Sequence, residues 1–268
     1  MNKNIISGGC SFTRGNELSD DTLRQGRSPS NKTWAKGLSD LVQGNYFCTA
    51  NYGVGNSAIA RRMFDYISKN KTDMVVVMWT FVSRYDWAMP RSKYLEDTRW
   101  ASITPWDTKD KQAEVFKTLA NSETQQEQYK LRREQLDTTG VKQFADALYR
   151  YAANEYNEVY QSWKSIIWLQ NILEKKNIKY FFTLADNTLF YKEMKPHSQI
   201  DSFMENLHKE IDFTNWFSFG ERMMGFNQWA TLNDYPRGVT HPLDEAHKDA
   251  VQLMKDKFLE IYNKEENK

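Results

Sequence analysis

Two short segments at opposite ends of the sequence carry the side chains best suited to chemistry. Near the start, GGCSFTRG puts Ser11 on a glycine-marked turn directly after the apolar stretch KNIIS. Near the end, His241 stands before Pro242 and an amphipathic helical pattern. Between them, NYGVGNS brings Gly53, Gly55 and Asn56 to the expected start of a helix. Unpaired backbone N–H groups and the helix dipole favour negative charge at such a point. A hydroxyl, an imidazole and converging N–H donors are the parts that acyl transfer needs. Each residue also has a bland reading. Ser11 could be a turn residue only, His241 a loop histidine before a proline-initiated helix, and the glycines mere relief for unusual backbone angles. The turn lacks the Gly-Lys-Ser/Thr of a nucleotide phosphate loop.

For these groups to meet, the intervening chain must fold so that its turns share an edge. Residues 3–7 read as a short strand. TWAKGLSDLV has helical apolar spacing with Thr33 as N-cap. YFCTANYGVGNSAIARRMFDYI reads as strand, glycine turn and helix, and DMVVVMWTF as a fully buried parallel strand. KYFFTLAD (179–186) is the next buried strand. The order strand, helix, strand, helix, strand predicts a three-layer α/β/α sandwich with a parallel sheet of about five strands. In such sheets sites form outside the carboxyl ends of the strands, where all three turns would lie.

The rest is read as one domain over 1–268 with an insertion at about 86–140, holding helices at about 110–120 and 122–136. Residues 17–32 read as a polar surface loop and 141–175 as one long helix. Residues 187–240 read as irregular, and Leu243 to Tyr262 as an amphipathic helix. Arg84 and Asp86 are expected to form a local ion pair.

Composition narrows the function classes. The chain has 268 residues, 40% apolar and 26% charged, with net charge +1, so no polyanion partner such as nucleic acid is implied. No apolar run approaches the roughly 18 residues needed to cross a bilayer. No secretion signal is evident, which predicts a cytoplasmic protein, with association with a virion as the other reading. Cys10 and Cys48 fit no metal-ligand spacing; one disulfide between them is an alternative, and two reduced, buried thiols are expected. No carboxylate pattern completes a metal site around His241 and His247, and no cofactor is implied. The aromatic share of 14% suits either a core or a wall for sugar or acyl chains.

Taken in order, GGCSFTRG, NYGVGNS and HPLDEAHKDAV resemble the blocks of the SGNH (GDSL-type) hydrolases. GGCSFTRG is similar to the variant first block, in which the serine is followed by an apolar residue and Thr-x-Gly. The resemblance implies a flavodoxin-like fold with Ser11 as nucleophile and His241 as base. It also implies backbone N–H groups of Ser11 and Gly55 in an oxyanion hole. Three departures stand out. Cys10 occupies the place of the family's Asp before the serine. Met78-Trp79-Thr80-Phe81 stands where the third block supplies an Asn, so that Thr80, Ser83 or Asn56 would have to substitute. The position three residues before the histidine, where the family has Asp, is Gly238. Asp234, Asp244 or a backbone carbonyl is then left to orient His241. The expected function is hydrolysis of a small-molecule or carbohydrate ester. The alternative is a non-catalytic SGNH-like binding or structural module. Oligomeric state is left open.

Overall fold

The computed structural model describes residues 2–21, 28–88, 100–108, 130, 134, 140–190 and 202–264. Its centre is a parallel sheet of β1 (Asn4–Gly8), β2 (Asn45–Cys48), β3 (Met74–Trp79) and β6 (Lys179–Leu184), in the order β2-β1-β3-β6. The register pairs Ile6 with Phe47 and Val75, and Val76 with Phe181. Every residue of β3 is buried, as its unbroken apolar run predicts for an inner strand covered on both faces. About five strands are expected from the sequence, and four form the continuous ladder. Beyond β6 the fifth position is held by a single parallel bridge, Phe182 to Trp216. There Phe182 N–H donates to Asn215 O and Phe217 N–H to Phe182 O.

Helices cover both faces. On one side α2 (Trp34–Leu41) packs against α8 (Asp244–Asn263); on the other, α3 (Asn56–Lys69) packs against α5 (Glu155–Lys175). Thr33 caps α2 as expected, its hydroxyl accepting from Lys36 N–H at 3.2 Å. α8 buries Ala246, Ala250, Val251, Met254, Phe258 and Ile261 along one stripe. The expected single helix over 141–175 is two, α4 (Val141–Tyr151) and α5. The break falls where Asn154 caps the second helix by accepting from Asn157 N–H. Residues expected to be irregular contain α6 (Ser202–Lys209) and α7 (Phe226–Leu232), helices of eight and seven residues, too short for an apolar spacing to repeat.

Within the expected insertion, β4 (Tyr85–Ala88) and β5 (Trp100–Ile103) form an antiparallel pair. The helices expected at 110–120 and 122–136 lie outside the described residues except at isolated positions. The expected Arg84–Asp86 pair does not form. Asp86 is held in a two-point contact by Arg61, at 2.7 and 3.0 Å, because α3 runs beside β4 and presents Arg61 to it. Both cysteines are free thiols. Among the described residues, no helix is long and apolar enough to cross a membrane.

Candidate active site

Strand β1 ends at Gly8, and the chain turns at once into α1 (Ser11–Arg14), a single turn closed by Gly15 in the left-handed region. Ser11 is thereby lifted to the carboxyl edge of the sheet, yet it is only 6% exposed. From the other end of the chain, the segment before α8 brings His241 to the same place. His241 Nε2 lies 2.8 Å from Ser11 Oγ. The imidazole packs on Phe12, ring centroids 4.6 Å apart, and is itself 7% exposed. Residues 230 positions apart thus meet in a nearly dry contact.

The other ring nitrogen faces a carboxylate that sequence reasoning missed. His241 Nδ1 is 2.7 Å from Thr240 Oγ1 and 3.3 Å from Glu17 Oε1. Glu17 Oε1 also accepts from the Thr240 hydroxyl at 2.9 Å. Its other oxygen accepts from the backbone N–H of Thr240 and of His241, both at 3.1 Å. Because the Thr240 proton goes to Glu17, the hydroxyl can only accept from Nδ1. That assigns the neutral ring a proton on Nδ1 and leaves Nε2 free to accept from Ser11. Burial opposes ionisation of Glu17, but the hydrogen bonds and charge of His241 and the donors of Thr240 outweigh it. The carboxyl is held down to about 2.

Gly238 stands where the resemblance leads to the expectation of an aspartate. A Cβ there would lie 2.2 Å from Glu17 Oε2, so the carboxylate from residue 17 fills the space a side chain at 238 would need. Asp234, the first sequence candidate for this role, is not at the site. It sits exposed in the turn after α7 with a positive φ of 53°, a conformation that short polar residues tolerate. Asp244, the second candidate, accepts instead from Ser19 N–H, the Ser19 hydroxyl and the Lys32 ammonium. It fastens the loop that carries Glu17 to the start of α8. The signal available in the sequence was an acidic residue six positions after Ser11, inside a segment read as plain surface loop.

The turns expected to form an oxyanion hole are also arranged differently from expectation. Gly55 is the N-cap of α3. A Cβ on it would sit 2.3 Å from Arg84 O, so only glycine lets the turn after β3 approach this closely. The N–H groups of Ser11 and Gly55 have no backbone acceptor among the described residues. Asn56 is buried, but its amide is already committed. It donates to Thr80 O and Ser162 Oγ, each at 3.0 Å, and accepts from Thr80 N–H at 2.8 Å. Thr80, fully buried, donates its hydroxyl proton to Cys10 Sγ at 3.2 Å. Neither side chain therefore has a donor to spare, which corrects the expectation that one of them replaces the missing Asn. Ser83 contributes its carbonyl, which accepts from Tyr149 at 2.6 Å. His247 is a buried acceptor for Trp34 N–H at 3.2 Å. Among the described residues no group of three or more His, Cys, Asp or Glu could hold a metal ion.

No protein-family model and no curated protein matches the chain. Solved structures do. A G-D-S-L-family protein from Desulfitobacterium hafniense DCB-2 is 10% identical with a TM-score of 0.46, over 96% of this chain and 99% of that one. A member of the lipolytic G-D-S-L family from Veillonella parvula DSM 2008 is 12% identical with a TM-score of 0.41, over 98% and 99%. An acetyl xylan esterase from the rumen bacterium Butyrivibrio proteoclasticus is 10% identical with a TM-score of 0.41, over 96% of this chain and 63% of that one.

Proposed function

We propose that this chain is a serine ester hydrolase that works through an acyl-enzyme on Ser11. The observation that carries the reading is the relay from Ser11 Oγ to His241 Nε2 at 2.8 Å, with Nδ1 backed by Thr240 and Glu17. In the first half-reaction Ser11 Oγ attacks the ester carbonyl while its proton passes to Nε2. The imidazolium so formed is stabilised by the Glu17 carboxylate, and Nε2 then returns the proton to the departing alkoxide as the C–O bond breaks. Water repeats the sequence on the acyl-enzyme and releases the acid. The N–H groups of Ser11 and Gly55 receive the developing oxyanion, and each donor of this kind is worth ~10²–10³ in rate.

A carbohydrate ester is the preferred substrate class. Trp106 is 51% exposed on a short turn that Asp107 stiffens by accepting from Thr104 N–H and its hydroxyl, at 2.8 and 3.1 Å. Thr104 in turn neighbours Gly53 of the oxyanion turn. An exposed indole on a rigid turn beside a site is suited to stack on a sugar face.

A fluorophosphonate probe should label the wild type and leave Ser11→Ala unlabelled. Acetate should be released from acetylated oligosaccharides, and Trp106→Ala should raise KM for these but not for p-nitrophenyl acetate. A folded wild type that neither labels nor releases any acid sinks the hydrolase reading. That result would favour the non-catalytic binding module, which the committed side chains of Asn56 and Thr80 would suit.

A further inference from the structure

The acyl-transfer reading leaves one question of chemistry at the oxyanion side. The side-chain donor expected there is absent, and two of its three expected replacements are committed, Asn56 to Thr80 and Ser162, Thr80 to Cys10, while Ser83 is held through its carbonyl by Tyr149. A neighbouring cation has donors left. Arg84 Nη1 reaches Thr80 Oγ1 at 3.2 Å and Val54 O at 3.4 Å. Those two bonds use two of its five N–H groups. The N–H of Nε and both of Nη2 meet no acceptor among the described residues. Its expected acidic partner, Asp86, is occupied by Arg61.

The anchors of Arg84 are the elements of the site. Thr80 hydrogen-bonds the residue immediately before Ser11. Val54 immediately precedes Gly55, and the Arg84 backbone packs directly on Gly55. The guanidinium lies over Phe81, 4.7 Å from its centroid. Phe81 meets Phe12 at 6.2 Å, and Phe12 carries His241. The segment is held on both sides of Arg84: Tyr149 donates to Ser83 O, and Tyr85 donates to Glu158 Oε1 at 3.1 Å. A guanidinium with unspent donors, anchored on Thr80 and Val54 next to the residues that flank Ser11 and Gly55, has the chemistry of a charge-assisted oxyanion donor.

We propose that Arg84 is the side-chain donor of the oxyanion pocket, supplying from the turn after β3 a cation where the SGNH families supply an amide. The inference rests on the hydrolase reading. Its test is steady-state hydrolysis of the small neutral ester p-nitrophenyl acetate by wild type, Arg84→Lys, Arg84→Gln and Arg84→Ala, with melting curves for each. Arg84→Gln and Arg84→Ala should lose roughly 10²–10³-fold in kcat with KM little changed. Arg84→Lys should lose less. Added guanidinium chloride, in tens of millimolar (~), should restore part of the Arg84→Ala rate, while sodium chloride at equal ionic strength should not. Rescue on the folded fraction separates a lost donor from a damaged fold. Variants within about threefold of wild type, or a loss that lies wholly in KM or that guanidinium fails to recover, overturn the assignment while the hydrolase reading stands. An inactive and unlabelled wild type removes both.

Discussion

A carboxylate can support an imidazole from any chain position that delivers it to the correct nitrogen. Here delivery comes from residue 17, in a left-handed backbone conformation (φ 69°) that a glutamate adopts only when its surroundings hold it there. The constraints are visible: Glu17 N–H bonds Asp21 at 2.9 Å, and the side chain takes the donors of Thr240 and His241. Because Gly238 leaves room for the Glu17 carboxylate, the two positions should be exchangeable. Glu17→Ala should lower kcat/KM for a neutral ester by ~10²–10⁴, the range for disabling a general base or its orienting acid. Gly238→Asp alone should also lower it, since its side chain collides with Glu17. Combined, Glu17→Ala and Gly238→Asp should recover at least about tenfold over Glu17→Ala. A double variant no better than the worse single one would show that the space at 238 is not a second entry point for the acid.

At the scale of elements, three turns converge because one side chain ties two of them together. Asn56, the first residue of α3, satisfies both the N–H and the C=O of Thr80 at the end of β3 and reaches Ser162 on α5. Asn56→Ala would leave two buried backbone groups of Thr80 without partners, each costing about 1–3 kcal/mol. Its melting temperature should fall by several degrees, and kcat should drop with it because the Gly55 amide loses its neighbour. An unchanged melting curve would mean that another group already satisfies Thr80. The convergence itself was legible in the sequence, since glycine turns after apolar strands mark a parallel sheet edge. The reading therefore brings Ser11, His241 and Gly55 to one edge, and in the structure Ser11 and His241 are in hydrogen-bond contact while Gly55 caps α3. Glu17 was not, because a single carboxylate in a polar loop has no period, and its partner's position is set by the tertiary fold. The commitment of Asn56 and Thr80 was equally hidden, since residue type reveals which donors exist but not where they are spent. The break between α4 and α5 escaped because apolar spacing runs through it, although Asn154 was a cap in plain sight.

Across the whole molecule, α8, which starts just after His241, lies against α2, and that contact contains a buried base. His247 is 1% exposed and accepts from Trp34 N–H at the first turn of α2, with Phe226 against its ring at 4.8 Å. Burial, and secondarily the nearby His241, hold its pKa down to about 3. The folded state thus keeps it neutral while the unfolded chain binds a proton below about 6.5. Between these values the unfolded state carries more protons, so stability falls as pH falls. Glu17 adds a second interval. Its folded value of about 2 lies below the ordinary 4.5, so stability present above 4.5 is lost as pH drops toward 2. Acid unfolding should therefore have two limbs, His247 acting from about 6.5 downward and Glu17 joining it below 4.5. His247→Asn keeps an acceptor for Trp34 N–H but does not titrate. Glu17→Gln removes the lower interval alone. Denaturant unfolding from pH 7 to pH 3 should show the wild type losing a few kcal/mol. His247→Asn should be flatter between 6.5 and 4.5, whereas Glu17→Gln should follow the wild type there and flatten only below. Parallel curves for wild type and His247→Asn would mean that the α2–α8 contact does not govern acid stability, and that the depressed histidine is protonated through local opening instead.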